Sequence, residues 1–220
     1  RTPSLALTYS NEGLSGCSRK FHKWARLHKI ANGNTLRKVL LNSWEGVYFD
    51  INEQRMEQMM NDIASMGGEL FVMDDGWFGD KYPRKNDSYG LGDWTVDRTK
   101  LPGGLQSLLN DARKHGIRFG IWLEPEMTNT KSELYEQHPD WVIKAPEREL
   151  ICDRGGTQVV LDLSNPKVQD FIVQTVDKLM TSYPDIDYIK WDANTSIVNQ
   201  GSQYLTKDNQ SHLNLSLIHI

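Results

Sequence analysis

An α/β fold of the (β/α)8 TIM-barrel type, present as about the first half of the barrel, is predicted by three features of this sequence. Short apolar runs alternate with segments patterned for helices, which implies parallel strands joined by crossovers. The runs are apolar on both faces, as parallel strands covered by helices are. Three of them close on a carboxylate beside a tryptophan: Val72-Met73-Asp74-Asp75-Gly76-Trp77, Ile121-Trp122-Leu123-Glu124-Pro125-Glu126, and Ile189-Lys190-Trp191-Asp192. The carboxyl ends of barrel strands are where such folds hold their chemistry.

Residues 1–36 read as the end of an N-terminal β-domain and a linker. Leu5-Ala6-Leu7-Thr8-Tyr9 alternates like a half-buried strand, Asn11-Glu12-Gly13 signals a turn, and Phe21 to Ile30 has a polar-aromatic helical pattern. The barrel half is expected over 37–196. Val39 to Trp44 is its first strand. Asn52 caps the helix that follows, with Glu53 in its first turn, and Met56, Met59, Met60, Ile63 and Met66 mark its apolar face up to Gly67-Gly68. That methionine stripe is packing, not a sulfur site. Leu70 to Met73 is the second strand. The long segment from Gly76 to Gly103 is rich in Gly, Asp, Tyr and Trp, and loops of that length in a compact domain are usually functional or disordered.

Leu105, Leu108, Leu109 and Ala112 give the next helix face, ending at Gly116, and Ile117 to Leu123 is the third strand. Lys131 to His138 is a short helix stopped by Pro139. Val159 to Leu163 is a short strand, read as an excursion rather than a barrel stave. Asn165-Pro166 opens a helix by capping and by proline at the first position, and Asp187 to Trp191 is the next strand. Only about four staves are visible where a barrel needs eight. A doubly wound nucleotide-binding fold is the rival, but Glu45 to Asp50 lacks the glycine-rich turn it would require. Residues 197–220 are expected to be a truncated loop, with Leu215 to Ile220 a non-native tail.

Composition narrows the partners. A net charge of -4 with no basic tail gives no reason to expect nucleic acid or an anionic membrane. No apolar run nears the roughly 20 residues that span a bilayer. Two distant cysteines, Cys17 and Cys152, read as separate thiols, and the six histidines form no metal-ligand set. The start at Arg1, without an initiator methionine, suggests an internal piece of a longer protein. Seven tryptophans, several next to acids, suit sugar stacking beside carboxylates that accept hydroxyl protons.

The segments Asn42-Ser43-Trp44-Glu45, Asp74-Asp75-Gly76-Trp77-Phe78-Gly79, Leu91-Gly92-Asp93-Trp94, Gly120-Ile121-Trp122-Leu123-Glu124-Pro125-Glu126-Met127, His138-Pro139-Asp140-Trp141 and Tyr188-Ile189-Lys190-Trp191-Asp192-Ala193-Asn194 resemble those of bacterial α-galactosidases of glycoside hydrolase family 36. The resemblance implies that Asp192 is the nucleophile and that Lys190 and Asn194 are pocket residues near it. It implies that Asp74 and Asp75 hold the galactose 4- and 6-hydroxyls, that Trp44 and Trp122 are aromatic walls, and that Arg154 binds substrate. The substrates implied are α-galactoside oligosaccharides such as melibiose and raffinose, with no cofactor and no metal. The family is often tetrameric and, in bacteria, often cytoplasmic.

The residues agree with that chemistry. A retaining glycosidase needs one carboxylate to attack the anomeric carbon and one acid to protonate the leaving oxygen. A cation two residues before Asp192, on the same side of a strand, favours the ionised nucleophile. Glu124 and Glu126 flank Pro125, and either faces the pocket or is structural. The family's acid/base lies on a later strand, so it is expected beyond residue 220. The chain alone is therefore expected to lack general-acid assistance, a loss on the order of 10²–10⁴-fold. A related α-N-acetylgalactosaminidase, a raffinose-type galactosyl transferase and a non-catalytic sugar-binding barrel are the alternatives.

Overall fold

A computed structural model of the chain describes residues 5–195, 197 and 200–213. The expectation about Leu215 to Ile220 falls outside that range. The chain divides into two compact units, the first ending at Lys38 and the second beginning at Val39.

In the first unit, α1 (Gly13–His28) begins at Gly13 rather than at Phe21. The strand expected over Leu5 to Tyr9 is not formed: residues 5–10 have no regular structure, and Leu5, Leu7 and Tyr9 are exposed. A strand needs a neighbour to take its backbone hydrogen bonds, and no strand lies among the described residues of this unit.

The second unit is built on a parallel sheet in the order β1-β2-β3-β6, formed by β1 (Leu40–Asn42), β2 (Leu70–Met73), β3 (Arg118–Leu123) and β6 (Ile186–Trp191). A helical turn, α2 (Trp44–Val47), and then α3 (Glu53–Ser65) connect β1 to β2, and α4 (Gly104–Lys114) connects β2 to β3. Asn52 caps α3 as expected, its side chain accepting from the Arg55 N–H at 2.9 Å. The helices cover the sheet with Met56, Met60 and Ile63 from α3 and Leu105, Leu108, Leu109 and Ala112 from α4, packed with Phe71, Met73, Phe119 and Ile121 of the strands. Each large side chain buried in this way contributes roughly 1.5–3 kcal/mol. Gly120 lets β2 and β6 close on β3, because a Cβ there would meet Tyr188 Cβ and Val72 Cγ2, both at 3.0 Å.

Between β3 and β6 the chain leaves the sheet. β4 (Met127–Asn129) pairs antiparallel with β5 (Gln158–Val160), with α5 (Glu133–Gln137) between them. The stretch read as an excursion is one, and it has its own core of Leu134, Trp141, Val142, Val159, Leu161 and Leu163. That core rests on Val168 and Ile172 of α6 (Pro166–Ser182), which Asn165 caps through the Lys167 N–H. Among the described residues the sheet is open, with β1 and β6 at its edges.

Candidate active site

The strand registers bring four loops to one end of the sheet. Asn42 pairs with Val72, Met73 with Ile121, Trp122 with Lys190, and Leu123 with Trp191. Partnered residues of parallel strands share a face, and positions two apart return to it. Trp122, Glu124, Lys190 and Asp192 therefore lie on one face, with Asp74 reaching in from β2.

Asp192 follows β6 and is seated by four groups. Its backbone N–H donates to Leu123 O at 2.8 Å. Trp122 Nε1 donates to Asp192 Oδ2 at 2.9 Å, and the Ala193 N–H donates to Oδ1 at 3.0 Å. Lys190 Nζ lies 3.7 Å from Oδ2. Burial pushes the Asp192 carboxyl up, but Trp122, Asn194, Ala193 and Lys190 together outweigh it and hold the group below the usual carboxylate range. The side chain keeps 26% of its surface open, so a half-buried, ionised carboxylate faces outward.

Lys190 links this group to the second strand. Its Nζ donates to Asp74 Oδ2 at 2.8 Å. Burial lowers its affinity for the proton, and the two aspartates reverse that and leave the pKa raised. Asp74 also accepts from Asn42 Nδ2 at 2.6 Å, while its own backbone N–H donates to Ser43 Oγ at 2.9 Å. Strand ends β1, β2 and β6 thus meet through one carboxylate.

Asp75 faces a different partner. Arg84, 1% exposed, forks it with Nε at 3.0 and 3.1 Å and Nη2 at 2.7 Å. Burial pushes Asp75 up and the guanidinium opposes it. Arg84 Nη1 donates to Asn129 Oδ1 at 3.0 Å and to Tyr89 O at 3.1 Å. Lys100 pins the same loop from below, with Nζ donating to the carbonyls of Phe49, Gly76 and Arg84 at 2.8, 2.6 and 2.8 Å. The glycine-rich segment after β2 is ordered because these two cations gather its carbonyls and carboxylates.

The expected aromatic walls differ from one another. Trp44 is half-buried and meets Tyr48 and Phe49 edge to face, with ring centroids 5.3 and 5.0 Å apart. Trp122 is 2% exposed and stacks on Phe78 at 6.2 Å with 3° between the planes. It meets Asp192 through its N–H, not through an open face. Trp77 is also buried, donating Nε1 to Trp122 O at 3.1 Å.

Arg154 lies farther out. Its Nη2 is 3.8 Å from Asp87 Oδ2, and Asp87 in turn lies 3.5 Å from Arg84 Nη2. Asn194 is exposed, and its backbone N–H donates to Glu124 Oε1. Glu124, left open on sequence grounds, faces inward beneath the turn after Asp192. Arg84, Lys100 and Gln158 were not singled out in the sequence. An arginine and a lysine within the loop that follows an Asp-Asp pair were the available signal.

The Melibiase family matches residues 1–219. The chain belongs to that family. It is 46% identical over 206 residues to α-galactosidase C of Emericella nidulans, covering 89% of this chain and 27% of that protein. It is 41% identical over 212 residues to α-galactosidase AgaA of Geobacillus stearothermophilus, covering 96% of this chain and 28% of that protein. The crystal structure of AgaA, a family 36 α-galactosidase, superposes with a TM-score of 0.84 over 92% of this chain and 28% of that one. The α-galactosidase from Lactobacillus brevis superposes with a TM-score of 0.86 at 38% identity, over 94% of this chain and 27% of that one. The chain spans a little over a quarter of the length of such relatives. Its open parallel sheet is part of the α/β barrel expected from the sequence.

Proposed function

We propose that the longer protein carrying this chain is a retaining α-galactosidase, with Asp192 as its nucleophile. The observation that supports this most is the seating of Asp192: an outward-facing carboxylate held ionised by Trp122 Nε1 and Lys190. Asp192 attacks the anomeric carbon, the bond to the leaving oxygen breaks, and a galactosyl ester forms. An acid supplied by the remaining barrel strands protonates that oxygen and then activates the water that releases galactose with retained configuration.

The polar groups around Asp74 suit the sugar. Asp74 and Lys190 place a charged acceptor and a donor beside the nucleophile, Asp75 follows next in the chain under Arg84, and such groups select hydroxyls by charge-assisted hydrogen bonds. In this reading Trp44 and Arg154 line the approach, and Asn194 rims the nucleophile. Raffinose and stachyose are bound in solved structures of Geobacillus AgaA, and we extend α-galactoside oligosaccharides of that kind to this protein.

Hydrolysis of p-nitrophenyl α-galactoside by the full-length protein, by its Asp192→Ala variant and by the chain alone tests the reading. Turnover is expected from the full-length protein only, with the α-anomer of galactose as first product by NMR. A folded full-length protein that ignores α-galactosides, or an Asp192→Ala variant that keeps its rate, overturns it.

A further inference from the structure

We propose that Glu124 is a positioning residue for the reaction described above: its carboxyl group, anchored by Gln158, holds the turn 192–194 and through it the Asp192 carboxylate. This rests on Asp192 being the nucleophile. Glu124 follows the last residue of β3, is 1% exposed, and makes no ion pair among the described residues. Its Oε1 accepts from the backbone N–H of Asn194, and its Oε2 accepts from Gln158 Nε2 at 3.1 Å.

The consequence for Asp192 is geometric. The nucleophile's turn has two backbone anchors, both on the tip of β3. Leu123 O takes the Asp192 N–H, and Glu124 takes the Asn194 N–H. Between them lies Ala193, whose N–H binds Asp192 Oδ1. With both anchors made, the Asp192 side chain has one orientation, the one that meets Trp122 Nε1. Without the Glu124 anchor the turn swings on Leu123 alone, and a misplacement of about 1 Å at a reacting atom can lower a rate about 10²-fold.

Gln158 shows that the anchor is built for a carboxylic acid as well as for a carboxylate. It is buried on β5, also contacts Met127 Sδ, and its Oε1 is buried without a partner among the described residues. A proton on Glu124 Oε2 gives that oxygen a donor once the Gln158 amide turns over, while Oε1 continues to accept from Asn194. Burial pushes the Glu124 carboxyl up to about 7, opposed by the Asn194 N–H, with the Asp192 and Asp75 charges pushing it further up and Arg84 pulling it down. The clamp thus survives protonation, because the Asn194 N–H needs only an acceptor oxygen.

The conservative and the disruptive variants then separate. Glu124→Gln keeps an acceptor for Asn194 and is expected to retain kcat within about threefold. Glu124→Leu removes it and is expected to lower kcat by about 10–100-fold, with KM for p-nitrophenyl α-galactoside within about threefold, because Asp74 and Lys190 are untouched. Equal losses in both variants, or a KM that rises as far as kcat falls, would overturn the proposal. Hydrogen exchange at the Asn194 amide provides a readout independent of substrate. It should quicken in Glu124→Leu and not in Glu124→Gln, and an unchanged rate in Glu124→Leu sinks the idea. A full-length wild type that does not turn over the galactoside refutes the functional reading instead, and the exchange measurement still decides whether Glu124 holds the turn.

Discussion

Trp122 places an indole N–H on Asp192, the proposed nucleophile, and a donor there favours the charged form. Trp122→Phe keeps an aromatic ring beside Phe78 and removes that donor, together with some of the indole's packing. If Asp192 is the nucleophile as proposed, the acidic limb of the kcat/KM profile of the full-length protein reports its free carboxylate and should therefore move to higher pH. A limb that stays in place would mean that Lys190 and the turn amides suffice. Glu124 supplies a second pH effect with the opposite chemistry. Burial pushes its carboxyl up to about 7 in the folded protein, from the ordinary 4.5. The contribution to stability is full below about pH 4.5 and is lost as pH rises through about 7, because the folded state then must hold a buried charge. Glu124→Gln should accordingly be more stable than wild type at pH 8.5 by on the order of 1–3 kcal/mol, and equal to it near pH 4.5. Urea unfolding at the two pH values checks the sign. Arg84 is the contrasting case, a charge that is buried and paired. Its loss leaves Asp75 alone, and Arg84→Met is expected to cost about 3–5 kcal/mol, with Asp75→Asn in the same protein recovering much of it. Of these residues, Asp192, Lys190 and the Asp74-Asp75 pair were legible because they close apolar runs. Arg84 was not, since its partner is fixed by how a loop folds back, and no periodicity encodes that. Trp122 was legible as important, but its burial was not: an indole beside an acid reads the same from outside the pocket or beneath it.

Among the elements, the strands and long helices followed the sequence pattern closely. β2, β3 and β6 are apolar runs, α3 and α4 carry stripes at helical spacing that the sheet covers, and α6 carries one whose Val168 and Ile172 pack in the excursion's core. The starts of α3 and α6 were legible from single residues, because an Asn that caps a helix does so through its own side chain. Asn165 bonds the Lys167 N–H at 3.0 Å ahead of Pro166. Asn165→Ala should therefore cost about 1 kcal/mol in chemical denaturation, and a value near zero would show that packing against Leu163 and Trp141 alone sets the start of α6. Leu5 to Tyr9 failed for the opposite reason. Alternation of apolar residues is only a permission to pair, and pairing is decided by whatever strand lies alongside. The β4–β5 excursion was legible as a strand that does not belong to the sheet, but not as a hairpin, since its two halves are separated by α5 and a long loop.

At the scale of the whole molecule the sheet ends in two edge strands, β1 and β6, each paired on one side only among the described residues. Leu40 and Tyr188 are exposed on them. Such edges carry rows of free backbone donors and acceptors and invite other strands to pair. β6 carries Lys190 and leads into Asp192, so whatever strand pairs with β6 also steadies Asp192. These two consequences give one prediction for the chain prepared alone. It should self-associate through its edges, visible as a concentration-dependent rise in light scattering. Adding the remaining barrel strands as a separate polypeptide should suppress that rise and restore α-galactoside turnover together. Suppression without turnover would show that the edges can be covered by pairing that leaves Asp192 misplaced. A monomeric chain at high concentration would show that β1 and β6 protect their own edges, through the twist of the sheet or the loops at its ends, and the open sheet would then be no driver of assembly.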